Sequence, residues 1–190
     1  MNVDCTYSLG RREWLRHKQP LLLLLCNVDF LGGGMMKLYL VQHGEAVAKE
    51  VDPDRPLSER GLHDVEKMAL FLRRSGISVG RILHSGKRRA EQTAQVLAAE
   101  IMPGDQPESV EGIKPNDDVA AFGAKLDDLH GDTLVAGHLP FMARLVAWLI
   151  TGNDELGMVA YKPGSIVCLE RQEEGEWQLQ WMVRPELLED

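Results

Sequence analysis

The sequence predicts a layered α/β domain built on a largely parallel sheet. From residue 37 onward, strand-like apolar runs alternate with amphipathic helical stretches, the pattern of βα units rather than of hairpins. Three of those runs end in a polar junction that opens a helix: His43-Gly44, then His84-Ser85 before Arg88-Arg89-Ala90-Glu91-Gln92-Thr93, then Gly137-His138-Leu139-Pro140. Only the last two strands, either side of Glu173-Glu174-Gly175, read as a hairpin.

Lys37–Gln42 is an apolar run that delivers His43 into a turn made possible by Gly44. The glycine removes side-chain bulk and lets backbone approach a ligand closely. A polar loop holding Asp52-Pro53-Asp54-Arg55-Pro56 leads to Ser58, an N-cap. The helix that follows runs to about Ser75, with Leu62, Val65, Met68, Ala69 and Leu72 at helical spacing and Gly76 ending it. The second strand is Arg81–His84, and the second helix spans residues 87–101 with Ala90, Ala94, Leu97 and Ile101 on one stripe. The stretch 102–115 carries prolines and glycines and leaves room for one short strand near Ser109-Val110. A third helix covers residues 117–129, a strand 133–136, and a markedly apolar helix 140–150, where Pro140 suits the first turn because its missing N–H has no partner there. Strands at 165–171 and 176–183 close the domain.

A chain of 190 residues accommodates one domain with a substantial core. Its 26% charged and 44% hydrophobic content is that of a globular protein. The net charge of -8, without a basic block, argues against a nucleic-acid-binding protein. Cys5, Cys26 and Cys168 lie far apart and form no pair spacing, which fits a reducing, cytoplasmic setting and offers no metal motif. Cys168 falls in an apolar strand and reads as a small core residue. The domain is assigned to residues 36–190. Residues 1–35 read as an extension, either disordered or a mis-assigned start, since Met36 begins the strand at its natural place. The run Leu21 to Leu25 is too short to span a bilayer, which takes about 20 residues. A membrane-associating leader is the alternative, and no stable membrane contact is expected.

Parallel strands gather their carboxyl ends at one edge, where open α/β folds place their chemistry. Two imidazoles, His43 and His138, and a guanidinium would then converge. A neutral imidazole nitrogen can attack an electrophilic centre and later release it, splitting one displacement into two. Its other nitrogen must donate to a fixed acceptor that sets the tautomer. His138, directly before a helix, can bond an anion held at the helix start. Read singly, each histidine is equally a structural or capping residue without a ligand.

Taken together, His43-Gly44, Asp54-Arg55-Pro56-Leu57-Ser58-Glu59-Arg60-Gly61, Arg89-Ala90-Glu91-Gln92-Thr93 and His138-Leu139-Pro140 resemble the histidine phosphatase superfamily. The compact form is similar to the SixA-type phosphohistidine phosphatases, from Met36 to about Pro185. The resemblance implies a phosphoglycerate mutase-like, three-layer α/β/α fold with a mostly parallel central sheet. It implies a metal-independent and cofactor-free hydrolase that works through a phosphohistidine intermediate, with His43 as nucleophile. His138 and Arg89 would act with it, and Arg89's planar fork can hold two phosphoryl oxygens. Gln42, Gly44, Arg55 and Leu139 would contribute to substrate binding; Lys87 and Arg88 read as a solvated helix start.

Gln42 departs from the family, which carries arginine just before the histidine. A hydrogen bond to a charged group contributes roughly 1.5–3 kcal/mol against about 1 for a neutral one, so weaker phosphate binding or slower turnover is expected. Glu111 lies where larger relatives keep a general acid, with Glu45 and Asp52 as alternatives; each also reads as a solvated carboxylate. Phosphohistidine expels an imidazole and needs an acid less than a phosphoester does. No long insertion is present to bury a metabolite. An open cleft would admit a histidine protruding from another protein, and the resemblance implies a phosphorylated histidine-containing protein, such as a phosphotransfer domain, as the partner of a monomeric enzyme. A phosphomonoesterase, or a phosphoprotein-binding module with a weakened site, are the other readings.

Overall fold

Side chains alternate along the first strand, and that alternation sets up the layers. In the computed structural model, which describes residues 36–189, β1 (Lys37–Gln42) sends Leu38 and Leu40 to one face of the sheet and Tyr39 and Val41 to the other. The second face packs on α1 (Glu59–Arg74) and α2 (Arg88–Ile101) through Val65, Met68, Leu72, Ala94, Leu97 and Ile101. The first face packs on α3 (Val119–Lys125) and α4 (Phe141–Thr151) through Phe122, Phe141, Leu145 and Val146. Both faces of the sheet are covered, so its central strands are apolar throughout. The fold is a three-layer α/β/α sandwich. What the sequence reading expected for residues 1–35, Cys5 and Cys26 lies outside the described residues.

β2 (Arg81–His84), β3 (Glu108–Ser109), β4 (Thr133–Gly137), β5 (Ile166–Arg171) and β6 (Trp177–Val183) complete a six-stranded sheet in the order β3-β2-β4-β1-β5-β6. The first four positions in that order are mutually parallel; β5 and β6 run antiparallel as the hairpin predicted at the carboxyl end. Cys168 is buried in β5, as expected of a core residue.

Two helix starts and one buried position differ from the sequence reading in ways that bear on the packing. Pro140 is the N-cap of α4 and the helix begins at Phe141, one residue later than expected. α3 begins at Val119 because the Asp118 carboxylate accepts from the Ala120 and Ala121 N–H groups, and it tightens into a 3-10 turn at Leu126–Asp128. Leu62, placed on the buried stripe of α1 by spacing, is 40% exposed. The inward position is Gly61, followed by Val65, Met68, Ala69 and Leu72.

That substitution of glycine for leucine on the inner stripe has a reason at the site. The backbone after His43 passes so close to α1 that a Cβ on Gly61 would lie 2.0 Å from the Glu45 carbonyl oxygen. A Cβ on Gly44 would meet the Gly61 carbonyl oxygen and Val65 at 2.8 Å. Gly44 is therefore required by packing against the helix. Ser58 caps α1 through the Gly61 N–H, at 3.0 Å, and its hydroxyl reaches the Glu45 carboxylate at 2.9 Å. Gly61→Ala should cost at least about 2 kcal/mol, because the obstruction is rigid backbone on both sides. A lower urea midpoint at unchanged m-value checks this; a stability equal to that of the wild type would mean that the two segments separate at no cost.

Candidate active site

The sheet register brings the two histidines together. Gln42 on β1 lies opposite Gly137 on β4, and the His43 N–H donates to the Gly137 carbonyl oxygen at 3.0 Å. The next residue on each strand is a histidine, and the rings meet at 4.8 Å between centroids, edge to face. Neighbouring parallel strands ending at the same level leave little other outcome.

His43 is oriented from both sides. Its Nδ1 lies 2.7 Å from the Gly44 carbonyl oxygen, so Nδ1 carries the proton and donates. Nε2 is left unprotonated and accepts from Arg89 Nε at 3.0 Å. Burial pushes the His43 pKa down to about 4; the bond to Gly44 opposes the shift, and Arg89, Arg55 and Lys87 reinforce it. His138 is held differently. It is buried, with Nε2 2.6 Å from Ser85 Oγ and with Nδ1 enclosed and unpartnered among the described residues. Burial, then His43 and the cations Arg89, Lys87 and Arg55, push its pKa down to about 3. Both rings are therefore neutral at physiological pH.

These shifts have a direction that can be tested. Each folded-state pKa lies below the unfolded value of 6.5, so the unfolded chain takes up protons first on acidification. Stability is highest above pH 6.5 and falls as the pH drops from there toward the folded values. NMR of the imidazole C–H signals should place the His43 midpoint near 4; a midpoint at 6.5 or above in the free protein would contradict the burial argument.

Three residues without an assigned role in the sequence reading build the site. Ser85 follows β2 on the far side of β4 and fixes His138. Thr93, fully buried, accepts from the Gly44 N–H at 3.1 Å and donates to the Arg89 carbonyl oxygen at 2.8 Å. Gln92 Oε1 accepts from the Leu57 N–H at 2.8 Å. The Arg-Ala-Glu-Gln-Thr segment thus supplies one cation and two struts, with Thr93 four residues after Arg89 on the same helical face. That spacing was the available signal.

The remaining expected residues divide. Arg55 is brought to the site: its positive charge bears on both histidines and on Arg89. It adopts φ 51, held by its N–H to the Asp52 carbonyl oxygen and by Nε to the Val47 carbonyl oxygen at 3.2 Å. Leu139 is part-exposed beside His138. Gly44 offers no free N–H to a ligand, since Thr93 takes it. Gln42 uses its backbone on Ser165 and Gly164, and its side-chain Oε1 is buried without a partner among the described residues. Glu111 is not brought into the cleft formed by Arg55 and Arg89. It is solvent-exposed, paired with Lys114 at 2.9 Å, and borders a separate depression with Arg81, Phe122 and Lys125. Glu45 is engaged by Ser58, and the Asp52 carboxylate accepts from the Asp54 N–H. Among the described residues no group of three or more His, Cys, Asp or Glu side chains could hold a metal ion, and no helix is long and apolar enough to cross a membrane.

Comparison with known proteins identifies the family and fold. A sequence model described as the histidine phosphatase superfamily (branch 1) matches residues 38–114. The chain is 27% identical over 155 residues to the phosphohistidine phosphatase SixA of Escherichia coli (strain K12), covering 79% of this chain and 94% of that protein. It is 30% identical over 144 residues to an uncharacterised protein of Picosynechococcus sp., covering 68% of this chain and 87% of the relative. A solved structure of the protein histidine phosphatase SixA complexed with tungstate superposes with a TM-score of 0.73 at 26% identity, over 81% of this chain and 100% of that one. The alpha-ribazole phosphatase of Shigella flexneri shares the fold, with a TM-score of 0.66 at 17% identity over 79% of this chain and 97% of that one. Matched from Leu38 to Lys114 by the family model and along most of its length by these relatives, the chain belongs to the histidine phosphatase superfamily.

Proposed function

We propose that the chain is a protein phosphohistidine phosphatase acting through His43. The observation that carries the reading is the state of His43: Nδ1 committed to the Gly44 carbonyl and Nε2 free of a proton beside the Arg89 fork. Arg89 turns its Nε–H from His43 Nε2 to the phosphoryl oxygens, the freed Nε2 lone pair attacks phosphorus, and the N–P bond to the substrate imidazole breaks. That imidazole leaves with the bonding pair and takes a proton from water. Arg89 offsets charge on the phosphoryl oxygens, with Arg55 and His138 beside it. Water then attacks the phosphoryl group on His43, giving inorganic phosphate and restoring the neutral ring. The similarity to a protein named as a phosphohistidine phosphatase supports the substrate class. The solvated, lysine-paired Glu111 supports it too, since expulsion of an alkoxide from a phosphoester would call for a poised acid.

The decisive assay compares phosphate release from a phosphohistidine-bearing protein with release from a simple phosphoester. Preference for the phosphoramidate supports the proposal. Preference for the ester makes the chain a phosphomonoesterase, and release from neither makes it a phosphoprotein-binding module, the reading that Gln42 favours. Gln42→Arg should raise turnover about tenfold, the worth of exchanging a neutral for a charged hydrogen bond to phosphate. Turnover that is unchanged or lower would mean that charge at this position does not limit the reaction.

A further inference from the structure

The cleft beside the histidines is lined by Lys49, Pro53, Asp54, Arg55, Gly86, Lys87, Arg88, Arg89 and Glu91, with an open volume of about 560 Å³. Its five cations have no carboxylate within ion-pair distance among the described residues. Elsewhere most cations are matched, among them Arg73 to Glu100, Arg81 to Glu108, Arg144 to Asp154, Lys162 to Glu186 and Arg171 to Asp127. In a chain with 29 acidic and 21 basic residues, unpaired positive charge has gathered against the net composition. Asp54 and Glu91 at its border offset part of that charge. With Asp54, Glu91 and one phosphoryl dianion beside Arg89 and Arg55 all counted, the cleft still keeps a net positive charge, carried by Lys49, Lys87 and Arg88.

We infer that this cationic cleft docks a carboxylate-bearing protein surface flanking the phosphorylated side chain. The inference rests on the phosphoprotein reading and specifies its partner as one whose phosphorylated residue sits among aspartates and glutamates. A protein surface, rather than a second small anion, fits the openness of the cleft. Small-ligand sites are concave and enclose most of their ligand, whereas Lys49 and Arg88 are solvent-exposed side chains on different segments. Charges so placed speed encounter and select partners, with an effect that salt screens.

The test uses the full chain and two synthetic peptides carrying a non-hydrolysable phosphohistidine analogue, one flanked by aspartate and glutamate, the other by asparagine and glutamine. The acidic peptide is expected to bind about tenfold more tightly at about 0.05 M salt, and the advantage to shrink at about 0.5 M. In the double variant Lys49→Gln/Arg88→Gln the advantage should disappear while the neutral peptide binds as before. Equal affinity for the two peptides, or an advantage that survives the double variant, overturns the inference. Turnover of the corresponding phosphohistidine peptides separates it from the catalytic reading. Flank-dependent binding without hydrolysis removes the phosphatase proposal and leaves the docking surface standing. Hydrolysis without flank dependence does the reverse, and failure of both peptides to bind overturns both.

Discussion

His43→Ala should abolish phosphoryl transfer, lowering turnover at least about 10⁴-fold, as removal of a nucleophile does in enzymes whose catalytic groups act as a unit. Rapid-quench labelling with a ³²P donor should trap phosphate on His43 in the wild-type chain and leave the variant unlabelled. The two histidines are not interchangeable. His138 has Nε2 2.6 Å from Ser85 Oγ and Nδ1 enclosed, whereas His43 has Nδ1 committed to the Gly44 carbonyl oxygen and Nε2 facing Arg89. Label recovered on His138, or turnover by His43→Ala close to that of the wild type, would reverse the assignment. The fold should survive the substitution, because His43 follows the strand and its backbone bond to Gly137 needs no side chain.

Arg89→Ala carries the second-largest expected loss, about 10²–10³ in turnover, the range measured when one donor to a developing oxyanion is removed. Two functions disappear at once: the bond from Nε to His43 Nε2 at 3.0 Å, and a positive charge that adds to burial in keeping both imidazoles neutral. The His43 midpoint should therefore rise from its value near 4, visible in the same NMR titration. Arg89→Lys restores the charge without the planar fork, so it should recover the titration better than the turnover. Equal recovery of both would reduce Arg89 to a point charge. Wild-type turnover in Arg89→Ala would remove it from the mechanism.

Much of this was legible along the chain. Alternating apolar runs and helical stripes gave the layers, because each face of a strand or helix must find apolar cover and the period records which face it is. His43 and His138 could be singled out because strand ends at the carboxyl edge of a parallel sheet are where side chains meet. Leu62 was misplaced because spacing counts apolar residues and cannot see that backbone after His43 occupies the place where a side chain would go, leaving room for Gly61 alone. Glu111 was a positional guess; its pairing with Lys114 depends on how the 110–118 loop turns.

The sequence by itself determined the order of elements, the family and the two imidazoles with their guanidinium, since these depend on local period and on residue type at fixed offsets. Only the tertiary structure decided how each imidazole is held. That distinction comes from partners remote in sequence: Arg89 is 46 residues from His43, and Ser85 is 53 residues from His138. A ring's reactivity depends on which of its nitrogens holds the proton. Only the groups packed around it in three dimensions fix that choice.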